Sequence, residues 1–216
     1  VHGAYLENGW LCFCGERILS ESDLLTDGIH NIQNALAAIA AAKVMGISSE
    51  SIAKALASFK GIRHRIEYVG EADGVRYVDD SKGTNVDATV KAVGCMKGDT
   101  VLLLGGKDKG YDYDKLFVRL RSSPVVHAVL YGENRFRLFE SALRCGFDRI
   151  SLCAGFDFAV RLARMAASRG QTVLLSPASA SFDEFAGYEE RGDRFVAIVR
   201  SFEEESRERE KGGGER

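Results

Sequence analysis

No excess of basic charge runs through this sequence. Its 29 Lys and Arg stand against 31 Asp and Glu, giving a formal net charge of −2 and a pI near 6.2. The positive field that nucleic-acid binding needs is missing, which sets that function class aside. No apolar run reaches about 18 residues and no charged-then-apolar leader opens the chain, so neither a membrane span nor a signal peptide is expected. The 5 cysteines are odd in number and form no C-x-x-C pair. Cys12 and Cys14 lie two apart on one strand face, and Cys95, Cys145 and Cys153 fall among apolar residues, a pattern of buried, reduced thiols in a cytosolic protein. Nothing matches G-x-x-x-x-G-K-[ST], so the chain carries no phosphate-binding loop of that type. His2, His30 and His127 have no metal-ligand spacing to Cys or Asp, and no structural zinc is expected. An initiator Met is also missing. The pattern starts in mid-course at Val1, as in a fragment or processed piece.

What is there reads as an ordinary globular composition, 45% hydrophobic with 2 Pro, in 216 residues. That is enough for one good-sized core, or one domain plus part of another. Short strand-like runs between Ala4 and Leu19, split by Glu7-Asn8-Gly9 and Gly15-Glu16, predict a β meander. From Gly28 the period turns helical through Ile32, Leu36, Ile39 and Ala40, with Asn31 as cap and Gly46 as stop. A second helix, capped by Ser48 or Ser49, carries Ile52, Ala55, Leu56 and Phe59 and ends at Gly61. Residues 1–60 are too little chain to close a core and read as the trailing edge of a larger domain.

Residues 61–202 alternate strand and helix. Expected strands are 66–69, 75–78, 101–104, 125–131, 149–152 and 172–175, the first two joined in a hairpin by Glu71-Ala72-Asp73-Gly74. Helices are expected over 86–96, 113–120, 135–145, 156–167 and 191–201. The later strands are apolar throughout, as in a parallel sheet covered on both faces, so a doubly wound α/β domain is predicted. Residues 203–216, of mixed charge and with no apolar anchor, read as a disordered tail.

In such a sheet, ligands bind beyond the carboxyl ends of the strands. Four polar loops fall there: Asp80-Ser81-Lys82-Gly83-Thr84-Asn85, Gly105-Gly106-Lys107-Asp108-Lys109-Gly110, Gly132-Glu133-Asn134 and Ser176-Pro177-Ala178-Ser179-Ala180-Ser181. The first ends a strand in acids and opens a helix, so Asp80 suits ribose hydroxyls or a metal-bound water, and Lys82 a phosphate; alone it would pass for a surface charge pair. The second is either a phosphate cradle, with Lys109 as an anion partner, or a glycine turn with solvated lysines. The last offers hydroxyls and N–H groups before a short helix over 182–185, or merely caps that helix. Asn34, an amide in a helix of Ala and Ile, suits a base edge. Arg63, His64 and Arg65 either face a cleft between the two regions or are solvated linker charges.

The set His30-Asn31-Ile32-Gln33-Asn34-Ala35, Phe59-Lys60-Gly61-Ile62-Arg63-His64-Arg65, Asp80-Ser81-Lys82-Gly83-Thr84-Asn85, Leu104-Gly105-Gly106-Lys107-Asp108-Lys109, Ser176-Pro177-Ala178-Ser179-Ala180-Ser181-Phe182-Asp183 and Tyr188-Glu189-Glu190-Arg191-Gly192 resembles the Mur ligase family. In this order it covers the chain from about Asp27 to Phe202, and its last motif resembles the D-glutamate-adding branch. The resemblance implies a Rossmann-like C-terminal ligase domain preceded by a meander and helix-pair remnant of the central ATPase domain. It also implies a cytoplasmic, ATP-dependent amide ligase of peptidoglycan precursor synthesis. ATP would phosphorylate UDP-N-acetylmuramoyl-L-alanine, and the amine of D-glutamate would attack the acyl phosphate.

By that resemblance Asn31 and Asn34 contact the adenine side, Arg65 and Lys82 the phosphates as the catalytic cations, and Asp80 the ribose. Thr84, Lys109, Ser181, Phe182 and Tyr188 line the D-glutamate pocket. Gly83 stands where Ala is common in the family and Ser179 where Cys is common, both small changes. The UDP-sugar domain, the phosphate-binding loop, the Mg2+ ligands and a modified lysine would precede Val1, so a fragment inactive by itself is expected. The alternatives are another Mur ligase adding a different amino acid, or a non-catalytic α/β module binding a nucleotide or a protein partner.

Overall fold

The computed structural model describes residues 2–26 and 28–212; Val1, Asp27 and residues 213–216 of the expected tail lie outside them. It divides into two compact units, Val1–Ile62 and Arg63–Arg216.

In the first unit, β1 (Ala4–Glu7), β2 (Trp10–Phe13) and β3 (Glu16–Ser20) form an antiparallel meander in chain order. Asn8 and Gly9 both have positive φ, as do Cys14 and Gly15, which two-residue hairpin turns of the tight primed type require. The second turn is therefore centred one residue earlier than predicted. Cys14 sits in it, exposed, and does not share a strand face with buried Cys12. Cys153 is buried, but Cys95 and Cys145 are only half-buried, so the expectation of five buried thiols holds for two.

Helix α1 (Ile29–Val44) is capped by Gly28 rather than Asn31, which lies inside the first turn. Helix α2 (Ser49–Ser58) is capped by Ser48, whose hydroxyl accepts from the Ser51 N–H at 3.3 Å. The core of this unit is small: Leu11, Ile18, Ala35, Ile39 and Ile52 are buried, whereas Leu25, Ile29, Val44 and Met45 are exposed.

The second unit is a six-stranded sheet of β4 (Glu67–Ala72), β5 (Val75–Asp79), β6 (Thr100–Gly105), β7 (Val125–Tyr131), β8 (Ile150–Leu152) and β9 (Thr172–Leu175), in the order β4-β5-β9-β6-β7-β8. Only the β4–β5 hairpin is antiparallel, turning through Asp73 and Gly74, both at positive φ; the other pairs are parallel. Alternate residues of one strand feed two cores. Val101 and Leu103 of β6 pack with Phe156, Val160, Phe195 and Phe202. Leu102 and Leu104 pack with Val93, Leu116, Phe117 and Leu138. The continuous apolar run is thus a strand buried on both faces, as expected.

Helices α3 (Val86–Gly94), α4 (Asp114–Leu120) and α5 (Arg135–Arg144) cover one face, and α6 (Phe156–Ala166) and α7 (Tyr188–Gly212) the other. The fold is α/β and doubly wound, as the strand pattern predicts.

Two further expectations fail. The stretch over 182–185 is a single turn, in which the Glu184 and Phe185 N–H groups donate to Ser181 O at 3.2 and 2.9 Å, and not a helix. The segment from Glu203, read as disordered, continues α7 as far as Gly212. Glu203/Arg207 and Glu205/Arg209 are spaced i, i+4, which favours helix. The segment is also anchored: Arg164 bonds Glu205 at 2.6 Å and Asp73 at 2.7 Å, and Arg209 bonds Asp73 at 2.9 Å.

Candidate functional site

Strand β5 runs out of the sheet into two consecutive buried acids, and each is used differently. Asp79 is wholly buried. Its Oδ2 lies 2.7 Å from His64 Nδ1, and its Oδ1 accepts the Ser81 N–H at 2.8 Å. The hydrogen bond to Asp79 raises the His64 pKa, against the opposing effect of burial. A side chain at position 192 would put its Cβ 2.1 Å from His64 Nδ1, so Gly192 is what lets α7 pass beside the imidazole. Of the three residues read as cleft cations or solvated linker charges, then, Arg63 and Arg65 are exposed while His64 is an internal pin. His64, Glu67 and Asp79 bring one ligand-type atom each within 4.8 Å of one another. Glu67, however, already accepts the His64 backbone N–H at 2.7 Å, so the trio is a closed hydrogen-bonded group.

Asp80 is 4% exposed and turned onto Ser176, whose hydroxyl donates to its Oδ2 at 2.6 Å. Burial pushes its carboxyl up to about 7, the hydrogen bond from Ser176 opposing and the neighbouring Asp79 charge adding. A Cβ at Gly83 would come within 2.3 Å of that Oδ2 and 2.8 Å of Ser176 Oγ. Alanine is therefore not the harmless change at position 83 that size suggests. The missing methyl makes room for the retracted carboxyl.

The loops after β5 and β9 are tied together by Arg191, a residue of α7 with no exposed surface. Its Nε donates to Ser81 Oγ at 2.9 Å, its Nη2 to Ser81 O at 2.8 Å and Ser179 O at 3.1 Å, and its Nη1 to Ala180 O at 3.2 Å. A buried guanidinium is tolerated where its fork is filled in this way. Asn134 does the same for the loop after β6: its amide donates to Tyr113 OH at 2.7 Å and Ser179 Oγ at 2.8 Å, while its Oδ1 accepts the Gly106 N–H at 3.1 Å. Sequence reasoning gave neither residue a role. The available signal for Arg191 was its place at the head of the line Arg191, Phe195, Ile198, Val199 and Phe202, which is core at helical spacing.

On this frame stand the predicted ligand residues of the second unit. Lys109 Nζ lies 3.5 Å from the Thr84 carbonyl oxygen and 5.8 Å from the Tyr111 ring centroid, joining the loop after β6 to the loop after β5. Lys82 Nζ donates to Tyr188 OH at 3.2 Å. Ser181 is buried and Phe182 is 68% exposed beside it. Lys107, by contrast, is paired with Glu133 at 2.5 Å. Asn31 and Asn34 belong to α1 of the first unit, the former half-buried and the latter exposed.

Two further carboxylates decide where an anion can sit. Asp183 accepts the Glu133 N–H at 3.1 Å, one residue before the cap of α5, and Glu184 accepts the Phe156 N–H at 3.0 Å, the first residue of α6. Both are consecutive residues of one turn. Each occupies a helix N-terminus that would otherwise attract an anion. Neither helix end is therefore open to an incoming anion.

Comparison with known proteins matches residues 64–179 to the family "Mur ligase, glutamate ligase domain". The chain is 48% identical over 186 residues to a UDP-N-acetylmuramoylalanine--D-glutamate ligase of Pelotomaculum thermopropionicum, covering 86% of this chain and 41% of that protein. It is 42% identical over 202 residues to the enzyme of the same name from Latilactobacillus sakei, covering 94% and 44%. It thus spans about two fifths of the length of these relatives. Among solved structures, a UDP-N-acetylmuramate-alanine ligase from Thermotoga maritima superposes with a TM-score of 0.65 at 17% identity, covering 89% of this chain and 42% of that one. A Mycobacterium tuberculosis folylpolyglutamate synthase complexed with ADP and AMPPCP gives 0.67 at 15%, covering 92% and 47%. At these identities the two structures speak to the fold.

Proposed function

The chain belongs to the Mur ligase family, and from that premise we propose that it is the C-terminal part of an ATP-dependent ligase that adds D-glutamate to UDP-N-acetylmuramoyl-L-alanine in the cytoplasm. Residues 1–60 would be the end of the central ATP-binding domain and 61–202 the C-terminal ligase domain. The reading rests on one observation above the others: the lysines Lys82 and Lys109 both stand on loops at the carboxyl edge of the sheet, and Lys109 reaches the Thr84 carbonyl on the Lys82 loop.

The chemistry follows from that placement. Transfer of the γ-phosphoryl group of ATP to the muramoyl-alanine carboxylate gives an acyl phosphate and ADP. Attack by the D-glutamate amine on the acyl carbon then forms the amide and expels phosphate. Lys82 and Arg65 would neutralise charge on the phosphoryl oxygens, which lowers the barrier where charge accumulates. Lys109, Thr84 and Ser181 would hold the two carboxylates of D-glutamate by charge-assisted bonds, and Phe182 and Tyr188 would wall the pocket. The gain is positioning of amine against acyl carbon, with no protein nucleophile. Asn31 and Asn34 would face adenine and Asp80 the ribose, for which its carboxyl must leave Ser176. As placed, with a raised pKa, Asp80 is a poor magnesium ligand. Mg2+ ligands would belong to the part of the relatives that this chain does not span.

Calorimetric titration of D-glutamate, with L-glutamate as control, tests this. D-glutamate should bind, L-glutamate should not, and Lys109→Ala and Thr84→Ala should each remove the heat. Equal binding of the two enantiomers, or binding indifferent to both substitutions, would overturn the assignment.

A further inference from the structure

We propose that Tyr188 is a positioning residue for Lys82, so that one side chain joins the amino-acid side of the crevice to its phosphate side. This rests on the ligase reading and goes past it, because a wall of the amino-acid pocket has no need to touch the phosphate lysine.

The geometry is specific. Lys82 Nζ donates to the Tyr188 hydroxyl at 3.2 Å and also lies 5.1 Å from the centroid of the same ring. The hydroxyl thus holds the ammonium beside the rim of its own ring. A lysine head on a four-carbon stem samples many rotamers, and an anion that binds it must collect that entropy loss. A lysine already leaned against a ring has lost much of it in advance, and only one of its three N–H donors is spent on the hydroxyl.

Tyr188 is in turn fixed from behind. Its carbonyl accepts from Ser81 Oγ at 2.8 Å, and that oxygen accepts from buried Arg191 at 2.9 Å. Ser81 directly precedes Lys82, so the post and the residue it steadies share one anchor. The same guanidinium grips Ser179 and Ala180, immediately before Ser181. The Glu189 carboxyl next in the chain is held below the usual carboxylate range, chiefly by the Tyr188 side chain, with its own backbone and the charge of Lys82 adding to the effect.

The test is a 1H–13C correlation spectrum of the chain carrying 13C-lysine, with Lys82 assigned from Lys82→Met. The Lys82 ε-methylene signal should lie upfield in the native chain, stay upfield in Tyr188→Phe and return to the exposed-lysine position in Tyr188→Leu. Inorganic pyrophosphate should move that signal, and Tyr188→Phe should raise the half-saturating concentration about three- to tenfold, the loss expected for one ordinary hydrogen bond. D-glutamate should move it in the native chain and much less in Tyr188→Phe. An unshifted Lys82 signal in the native chain, no response to pyrophosphate, or identical titrations in native and Tyr188→Phe would each overturn the proposal. The ligase reading fails by a different sign: saturating D-glutamate that leaves the amide signals of Thr84, Lys109 and Ser181 unmoved while Lys82 still reports its ring.

Discussion

The two ends of β5 both carry an aspartate in contact with basic groups, and they illustrate opposite uses of charge. At the amino end, Asp73 is 38% exposed and bonds Arg164, Ser206 and Arg209, a cluster at the hairpin turn that the last turns of α7 close over. At the carboxyl end, Asp79 has no exposed surface and bonds His64 and the backbone beside Arg191. Exposed pairs are screened and replaceable, whereas buried ones cost heavily when one partner is removed. The hairpin end pins a helix, and the carboxyl end orders the loops after β5 and β9.

Arg191→Ala should break that contrast most severely. It strips partners from three buried carbonyls and from Ser81 Oγ, so a loss of about 3–5 kcal/mol is expected. That corresponds to a drop in melting temperature on the order of 10 °C for a domain of this size. Arg191→Lys should not rescue it, since an ammonium cannot reproduce the fork. A change indistinguishable from a surface substitution would mean that the loops are held some other way.

The acids next sharpen the comparison by their opposite pH dependence. Asp80, with its carboxyl pushed up to about 7, binds its proton more tightly folded than unfolded. Its contribution is complete below the usual carboxylate range and disappears as pH rises from about 4 to about 7. His64, also raised, adds a loss of the same sign as pH climbs from about 6.5 through its folded value. Asp73, drawn down to about 2 chiefly by Arg164, works the other way, since its contribution is present above about 3.8 and is lost as pH falls through about 2. Urea melts across pH 4–8 should show stability declining with pH, and Asp80→Asn should flatten the slope below pH 7. A rising slope there would contradict the buried, retracted placement of Asp80.

The smallest effect belongs to the hairpin end. Asp73→Asn should cost less than about 1 kcal/mol despite the low carboxyl pKa, because the cluster lies in solvent. Most of that difference should vanish in about 1 M salt, where screening reaches ~3 Å. A large, salt-independent loss would make the two ends of β5 alike.

What the sequence made legible follows the same division. Continuous apolar runs and helical periods located the strands and helices because the two cores impose them: Leu102 and Leu104 face one core and Val101 and Leu103 the other, so each of these positions is apolar. The lysines were singled out because they stand in loops after strand ends. The frame beneath them was not, because Arg191 is written among Glu189, Glu190, Asp193 and Arg194 and reads as one more surface charge. Its burial depends on three backbone carbonyls contributed by residues 81, 179 and 180, which no local pattern announces. The charged end of α7 misled for the converse reason. Composition counted it as solvated, while its fixing points, Asp73 and Arg164, are remote in sequence.

Strand β9 is the last to be synthesised, yet it lies between β5 and β6, and this order governs when the site can exist. Until Thr172–Leu175 has been made, the strand bearing the Lys82 loop and the strand bearing the Lys109 loop have no common neighbour. Pairing of residue 76 with residue 172 closes a loop that takes in most of the unit, the kind of distant contact that slows folding. The crevice is therefore a late product of folding, assembled as the keystone strand slots in, while the hairpin of β4 and β5 is local enough to form early.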